Sequence, residues 1–443
     1  MVQAAAQREP GSRRRIAVVG GGISGLYAAW LLAPKCDVVV FEAEPRLGGH
    51  ARTVVAGRHR NRSVDTGFIV YNHANYPHLA RLFDELDVPV AASDMSFSVS
   101  VDDGRIEYGL GSLRALVGQA SNLLRPGFWA MIRDILRFHR HAPQVVEHED
   151  LTLGALIRRL RLGCWFADYH LRPMCSAIWS TPRAQIDDYP ARSLVRFFRN
   201  HGLLSVNGQH RWWTVRGGSA VYVERLAAAL RRKGVSLRVG TSVEAVARRQ
   251  TGIILRVAGG GLESFDDVVL ACHADAALRL LADADREERT VLGAFRFQTN
   301  RALLHADPRL MPRRRSVWSA WNYLVGRDPD GGASVTYWMN RLQALPEDDP
   351  LFVTLNPTVE PLAELVYDET TFRHPVFTHA ALEAQERLAA LQGLRRTWFV
   401  GAWLRHGFHE DGCASAWRVA RTLLAAADGG CAHGSRSREL AVS

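Results

Sequence analysis

Apolar residues in this 443-residue chain fall into two rhythms. Unbroken runs at residues 16–19 (IAVV), 38–41 (VVVF) and 268–271 (VVLA) suit parallel strands covered on both faces. Residues 26–32 follow the first run and read as a helix, and 214–234 (TVRGGSAVYVERLAAALRRKG) read as a turn and an amphipathic helix. In 122–140 (NLLRPGFWAMIRDILRFHR), Trp129, Ile132 and Leu136 fall at helical spacing, and Phe128 and Ile135 widen the stripe. Alternation in 334–340 (SVTYWMN) and 350–357 (PLFVTLNP) predicts half-buried strands. A last apolar run at 398–400 leads to a helix over 414–425. The order of elements predicts an α/β fold with a parallel sheet.

The first strand-to-helix junction carries chemistry. Gly20, Gly22 and Gly25 form G-x-G-x-x-G: the first permits a tight turn, the second lets backbone approach a pyrophosphate, the third lets helix and strand pack closely. Ile23 and Ser24 stand at the helix start, where N–H groups and the helix dipole favour phosphate. Glu42 closes the next strand, 20 residues beyond Gly22, where its carboxylate is placed to accept hydrogen bonds from ribose hydroxyls; Ala43 beside it is a further expected cofactor-binding residue.

Residues 16–34 lack any charge and are long enough to suggest a membrane span, but four glycines and the strand-to-helix switch favour the nucleotide fold. Residues 1–15 hold four arginines and no apolar core of a secretory signal. The formal charge of +10 is carried by arginine, since Lys35 and Lys233 are the only lysines. No basic stripe with aromatics appears, so nucleic acid is not an expected partner, while anionic headgroups remain compatible with the basic surface. Cysteines 36, 164, 175, 272, 413 and 431 show neither C-x-x-C spacing nor a disulfide framework, which implies a reducing cytoplasmic compartment. The 17 histidines are scattered and no metal site is expected.

Taken with these features, RLGGHART (46–53), VDTGFIVYN (64–72), TSVEAV (241–246) and GFHEDG (407–412) resemble the FAD-dependent amine oxidase and phytoene desaturase superfamily across most of the chain. The resemblance implies a Rossmann-like FAD-binding domain of the glutathione reductase type, discontinuous over 13–75, 213–275 and 396–427. An α+β substrate domain would take 76–212 and 276–395, with disordered tails at 1–12 and 428–443. It places Arg46, Gly48, Gly49 and His50 on the pyrophosphate, with His50 standing where arginine is usual and Arg52 retained. The same resemblance implies that Thr66, Gly67 and Phe68 lie against the flavin ring, Val243 at the adenine, and Glu410, Asp411 and Gly412 at the pyrimidine end, with Gly401 a further cofactor-binding residue. Asp411 and Ala416 replace glycines of the family pattern. More narrowly, the chain is similar to bacterial flavin amine oxidase-like proteins that accompany cyclopropane fatty acyl phospholipid synthase-like methyltransferases. That similarity implies a lipid methyltransferase partner, a hydrophobic or lipid acyl substrate, and peripheral contact with the inner membrane.

Amine oxidases of this superfamily use a lysine bridged by water to the flavin N5. Here the corresponding stretch, QTNRALLHAD (298–307), offers Asn300 and Arg301, and both lysines are expected at the surface. Phe408 matches one aromatic-cage tyrosine without its hydroxyl. His374, Phe408 and His409 are the expected catalytic residues, with His305 and Asn322 as further candidates. The aromatic group Trp318, Trp321, Tyr323, Tyr337 and Trp338 reads either as core or as a hydrophobic substrate wall. The expected activity is hydride transfer between FAD and a hydrophobic carbon skeleton. The alternatives are an amine oxidase that reduces O2 to H2O2, and a non-catalytic flavoprotein partner of the methyltransferase.

Overall fold

Buried valine-rich runs set the first sheet. The computed structural model describes residues 13–110, 112–179, 183–200, 210–326 and 333–428; the tails expected at either end therefore lie almost wholly outside the described residues. Five parallel strands stand in the order Ser236–Arg238, Cys36–Phe41, Arg14–Val19, Asp267–Leu270, Thr397–Phe399. Ile16, Ala17 and Val18 are fully buried, as runs without polar alternation require. Helices Ile23–Leu32, Ala220–Arg232 and His409–Asp428 cover one face through Leu26, Leu226 and Leu423. An antiparallel meander, Val243–Arg249, Gly252–Val257 and Gly261–Phe265, packs against Ala17 and Val268 on the other face. This is the expected Rossmann-like α/β architecture, assembled from separated stretches of chain.

The second unit is built on a seven-stranded sheet. Its order is Val366–Val376, Arg296–His305, Phe352–Leu355, Ala333–Trp338, Trp321–Val325, Phe97–Val101, Ile106–Gly109, with one parallel pairing between Trp321–Val325 and Phe97–Val101. Helices Pro126–His148, Leu153–Arg159 and Ala191–Asn200 join its core through Phe128, Leu156 and Phe198.

Packing moves the expected boundaries. Helix Pro77–Glu85 lies past residue 76, yet Leu79, Leu82 and Phe83 belong to the nucleotide-side core with Leu26 and Tyr222. Helices Arg286–Gly293 and His379–Leu388 likewise place Val291, Leu292 and Ala381 against the five-stranded sheet. Conversely, Ala56, Val64 and Ile69 join the substrate-side core. Pattern shows that a helix has an apolar face; only packing shows which sheet that face meets.

The expected stripe on Pro126–His148 is also corrected. Phe128, Met131, Ile135, Phe138 and Ala142 are buried, while Trp129 and Leu136 are exposed. Among the described residues, no helix is long and apolar enough to cross a membrane.

Candidate active site

Three stretches distant in sequence converge where the strand Arg14–Val19 ends. Gly20 turns the chain at φ +118°, where a Cβ would lie 2.7 Å from the Ala271 carbonyl oxygen. At Gly25 a Cβ would lie 1.9 Å from the Gly20 oxygen, so helix and strand are as close as bare backbone permits. Gly22 is different. Its φ is −76°, and a Cβ there would meet nothing within 4 Å. It caps helix Ile23–Leu32 without any side-chain hydrogen bond, which leaves a glycine-floored cradle of the kind a pyrophosphate fits.

The other segments close around this cradle. Gly49, at φ +57°, faces Gly22, and its Cβ would lie 3.3 Å from the Gly22 Cα. The Gly48 N–H donates to Gly21 O at 2.8 Å. Gly412 of the last helix lies on the first helix, where a Cβ would sit 2.5 Å from Ser24 Oγ and 3.4 Å from Ile23 Cγ2. Gly401, just past Thr397–Phe399, donates its N–H to Ser415 Oγ at 3.0 Å. Arg46 braces the 46–51 loop by donating to Gly49 O at 2.8 Å and Ala51 O at 3.1 Å. Thr66 and Phe68 donate their N–H groups to the Arg52 and His50 carbonyls, each at 2.9 Å. Gly67 between them is required, since a Cβ would lie 2.0 Å from His50 O.

Glu42 ends Cys36–Phe41 half-buried, accepting the N–H of Gly21 at 2.6 Å and of Glu44 at 2.8 Å. The Thr241 N–H reaches Glu42 O at 2.7 Å, which brings the chain entering buried Val243 to the same end. Ala43 beside it is exposed. Arg52 extends away from the cradle and grips Asp368 of the seven-stranded sheet at 2.6 and 2.9 Å.

His50 opens a cluster of rings. Its centroid lies 5.1 Å from Phe372, stacked, 5.5 Å from His374 and 6.1 Å from His273. Asn300 Nδ2 donates to His374 Nδ1 at 2.9 Å, which leaves the His374 proton on Nε2. Asn356 Nδ2 donates to Asn300 Oδ1 at 2.8 Å and fixes that amide. His273 stacks on Phe297 at 4.2 Å, and His409 on Phe68 at 3.9 Å, with His409 Nε2 3.1 Å from Tyr222 OH. Phe408 stacks on Phe197 at 5.0 Å and packs against both cores. Burial lowers the pKa of His374 and of His409 to about 3 and of His273 to about 4, and moves His50 the same way. The four imidazoles are therefore neutral at neutral pH.

Several expectations resolve differently. The buried Glu410 carboxylate accepts the N–H groups of His78 and Leu79 at 3.1 and 3.0 Å, capping helix Pro77–Glu85. Asp411 accepts from Phe408 N–H at 2.9 Å and His406 N–H at 3.2 Å, so the last helix begins at His409 rather than 414. His305 is a core residue bonded to Thr354 Oγ1 at 2.7 Å and to the Asp307 N–H at 3.1 Å. Asn322 spends its amide on Ser98, Ser319 and Thr336. The Trp318 group is core: Trp338 and Trp318 pack with Phe352, and Tyr323 and Tyr337 lie in the substrate-side core. Lys233 Nζ lies 4.5 Å over the Trp30 ring, and Lys35 is exposed.

His273, Phe297, Phe372 and Tyr222 escaped the sequence reading. His273 had a usable signal, since it follows the buried strand Asp267–Leu270 at its carboxyl end, where ligands of parallel sheets bind. The others announce themselves only through their neighbours. Among the described residues no group of three His, Cys, Asp or Glu could hold a metal.

Comparison with known proteins agrees with this geometry. Residues 23–424 match the family described as flavin containing amine oxidoreductase. Bovine (Bos taurus) protoporphyrinogen oxidase is 27% identical over 266 residues, 52% of this chain and 54% of the relative. The chain thus spans about half the length of the curated relatives it matches first. A CLA-producing fatty acid isomerase from P. acnes superposes with a TM-score of 0.64 at 16% identity, covering 92% of this chain and 98% of that one. Cyclohexylamine oxidase from Brevibacterium oxydans IH-35A gives 0.64 at 15% identity, covering 94% and 100%. At such identities these two likenesses are ones of fold.

Proposed function

Because the chain belongs to the flavin-containing amine oxidoreductase family, whose cofactor is FAD, we propose that it is an FAD-dependent oxidoreductase acting on an uncharged, hydrophobic substrate of the lipid acyl class. FAD would supply hydride transfer to or from a substrate carbon; this chain's residues bind, orient and exclude water. The phosphates are assigned to the Gly22 cradle with the Ile23 and Ser24 N–H groups, the ribose to Glu42, and the flavin ring to the backbone of 66–68 and 408–412.

One observation carries the substrate class. The rings gathered beside the cradle, His50, His273 and His374 with Phe372, Phe297 and Asn300, hold neutral imidazoles, and neither lysine of the chain lies among them. Arg373 lies 5.3 Å over the Phe297 ring, but its charge is met by Asp275 at 2.9 Å. An aromatic-lined site of neutral imidazoles favours an apolar carbon skeleton over a group that must be desolvated as a charge. His374 holds its proton on Nε2, and Asn300 keeps it there.

The test is anaerobic. The purified yellow protein is titrated with phospholipids bearing mono-unsaturated or methyl-branched chains, and separately with common amines, while flavin absorbance is followed. Bleaching by lipid and not by amines is the expected result. Bleaching by amines alone, with peroxide formed in air, would make it an amine oxidase. Silence from both would overturn lipid dehydrogenation and leave a reductase fed by another donor or a flavoprotein without redox work.

A further inference from the structure

Pro126–His148, at 23 residues the longest helix described, keeps one face bare. Trp129, Arg133, Leu136 and Arg140 recur at helical spacing on that face, with Arg137 beside them, and all are exposed. Trp129 is 52% and Leu136 54% exposed, and the preceding turn adds Leu123 at 40% and Leu124 at 86%. Trp129 Nε1 donates to Leu123 O at 2.9 Å, joining turn and helix into one apolar edge.

Charge on this edge has one sign. Between residues 110 and 146 the only acid is Asp134, which is buried and accepts the Gly163 N–H at 2.8 Å. Among the described residues, Arg137 and Arg140 form no ion pair; Arg137 reaches only the Arg161 carbonyl, at 3.4 Å. Arg133 touches buried Asp134 at 3.4 Å, with its own side chain left exposed. Exposed large apolar groups set among these guanidinium groups match a surface of phosphates over hydrocarbon.

We propose that this face docks on an anionic phospholipid bilayer. Trp129, Leu123 and Leu124 enter the interfacial layer, while Arg133, Arg137 and Arg140 meet headgroup phosphates. A second copy of the chain is disfavoured as the occupant, because apposing two such faces brings like charges together. The buried side of the helix meets Ala191–Asn200 through Phe138 and Phe198, 6.4 Å apart. Phe197 of that helix stacks on Phe408, so the docking face lies one helical layer from the candidate active site. The inference stands on the surface alone and does not depend on the proposed substrate.

The experiment is co-sedimentation of the holoenzyme with vesicles of phosphatidylglycerol in phosphatidylcholine, against phosphatidylcholine alone. Binding to the anionic vesicles, weakened by salt, is expected. Triple charge reversal, Arg133→Glu with Arg137→Glu and Arg140→Glu, should lower it on the order of 100-fold. Leu124→Asp should lower it as well. Flavin content and melting temperature of these surface variants should match the parent. Equal binding to neutral vesicles, no binding to either kind, or charge reversal without effect would overturn the proposal. So would a dimer dissolved by Leu124→Asp while vesicle binding persists.

Discussion

Gly22 and Gly25 are the same residue answering two different demands. At Gly25 the missing Cβ makes room for the Gly20 carbonyl, 1.9 Å from where it would stand; at Gly22 it leaves open ground. Their substitutions should therefore part company. Gly25→Ala should destabilise the fold by about 1–3 kcal/mol, because backbone must shift. Gly22→Val should fold and melt like stripped parent protein but purify without flavin, its side chain filling the cradle proposed for the pyrophosphate. Absorbance ratios and thermal melts of the two variants check this, and yellow holoenzyme from Gly22→Val would sink the assignment of the cradle. Both glycines were legible in the sequence because their spacing is local. His374 was legible as a candidate too, but its meeting with His50 and Phe372 was not, since Phe372 and His374 reach His50 from more than 300 residues away.

Helix ends show how an element can be read correctly and its side chains misplaced. The run GFHEDG does begin a helix, but its two acids serve different helices. Asp411 caps its own. Glu410 caps Pro77–Glu85, whose N-terminus has no side-chain cap of its own. Burial raises the Glu410 carboxyl from 4.5 to about 7. Between those values the folded state holds a proton that the unfolded state has released, so stability falls as pH rises, by at most about 1.4 kcal/mol per pH unit. Melting temperatures from pH 5 to 8 should accordingly decline in the parent relative to Glu410→Gln. Parallel profiles would show that this carboxyl does not titrate as assigned. In Pro126–His148 the error was one of face. Two stripes have helical spacing, and periodicity alone cannot say which one meets a core.

At the scale of the whole molecule, the cradle is a junction. Gly22, Gly49 and Gly412 belong to segments that only tertiary contact brings together, and Arg52 ties the 46–52 loop to Asp368 in the other sheet. A ligand spanning them should stabilise the entire fold. Free FAD at a hundredfold its Kd should raise the stability of stripped protein by about 2.7 kcal/mol, seen as a concentration-dependent rise in melting temperature. The same addition to Gly22→Val should leave its melting temperature unchanged. A rise in both proteins would place the flavin elsewhere.

What the sequence determined by itself was everything written at short range. Buried runs became parallel strands, G-x-G-x-x-G became the turn, Glu42 closed its strand, and the chain's two lysines left none for the ring cluster. These follow from backbone geometry and burial within some twenty residues. Tertiary structure alone decided that Glu410 serves a helix 332 residues away, that His50, His273 and His374 share one wall, and that Trp129 faces outward. Such outcomes depend on which apolar surfaces cover one another, and that choice is made by packing across the chain, not by any residue's neighbours in sequence.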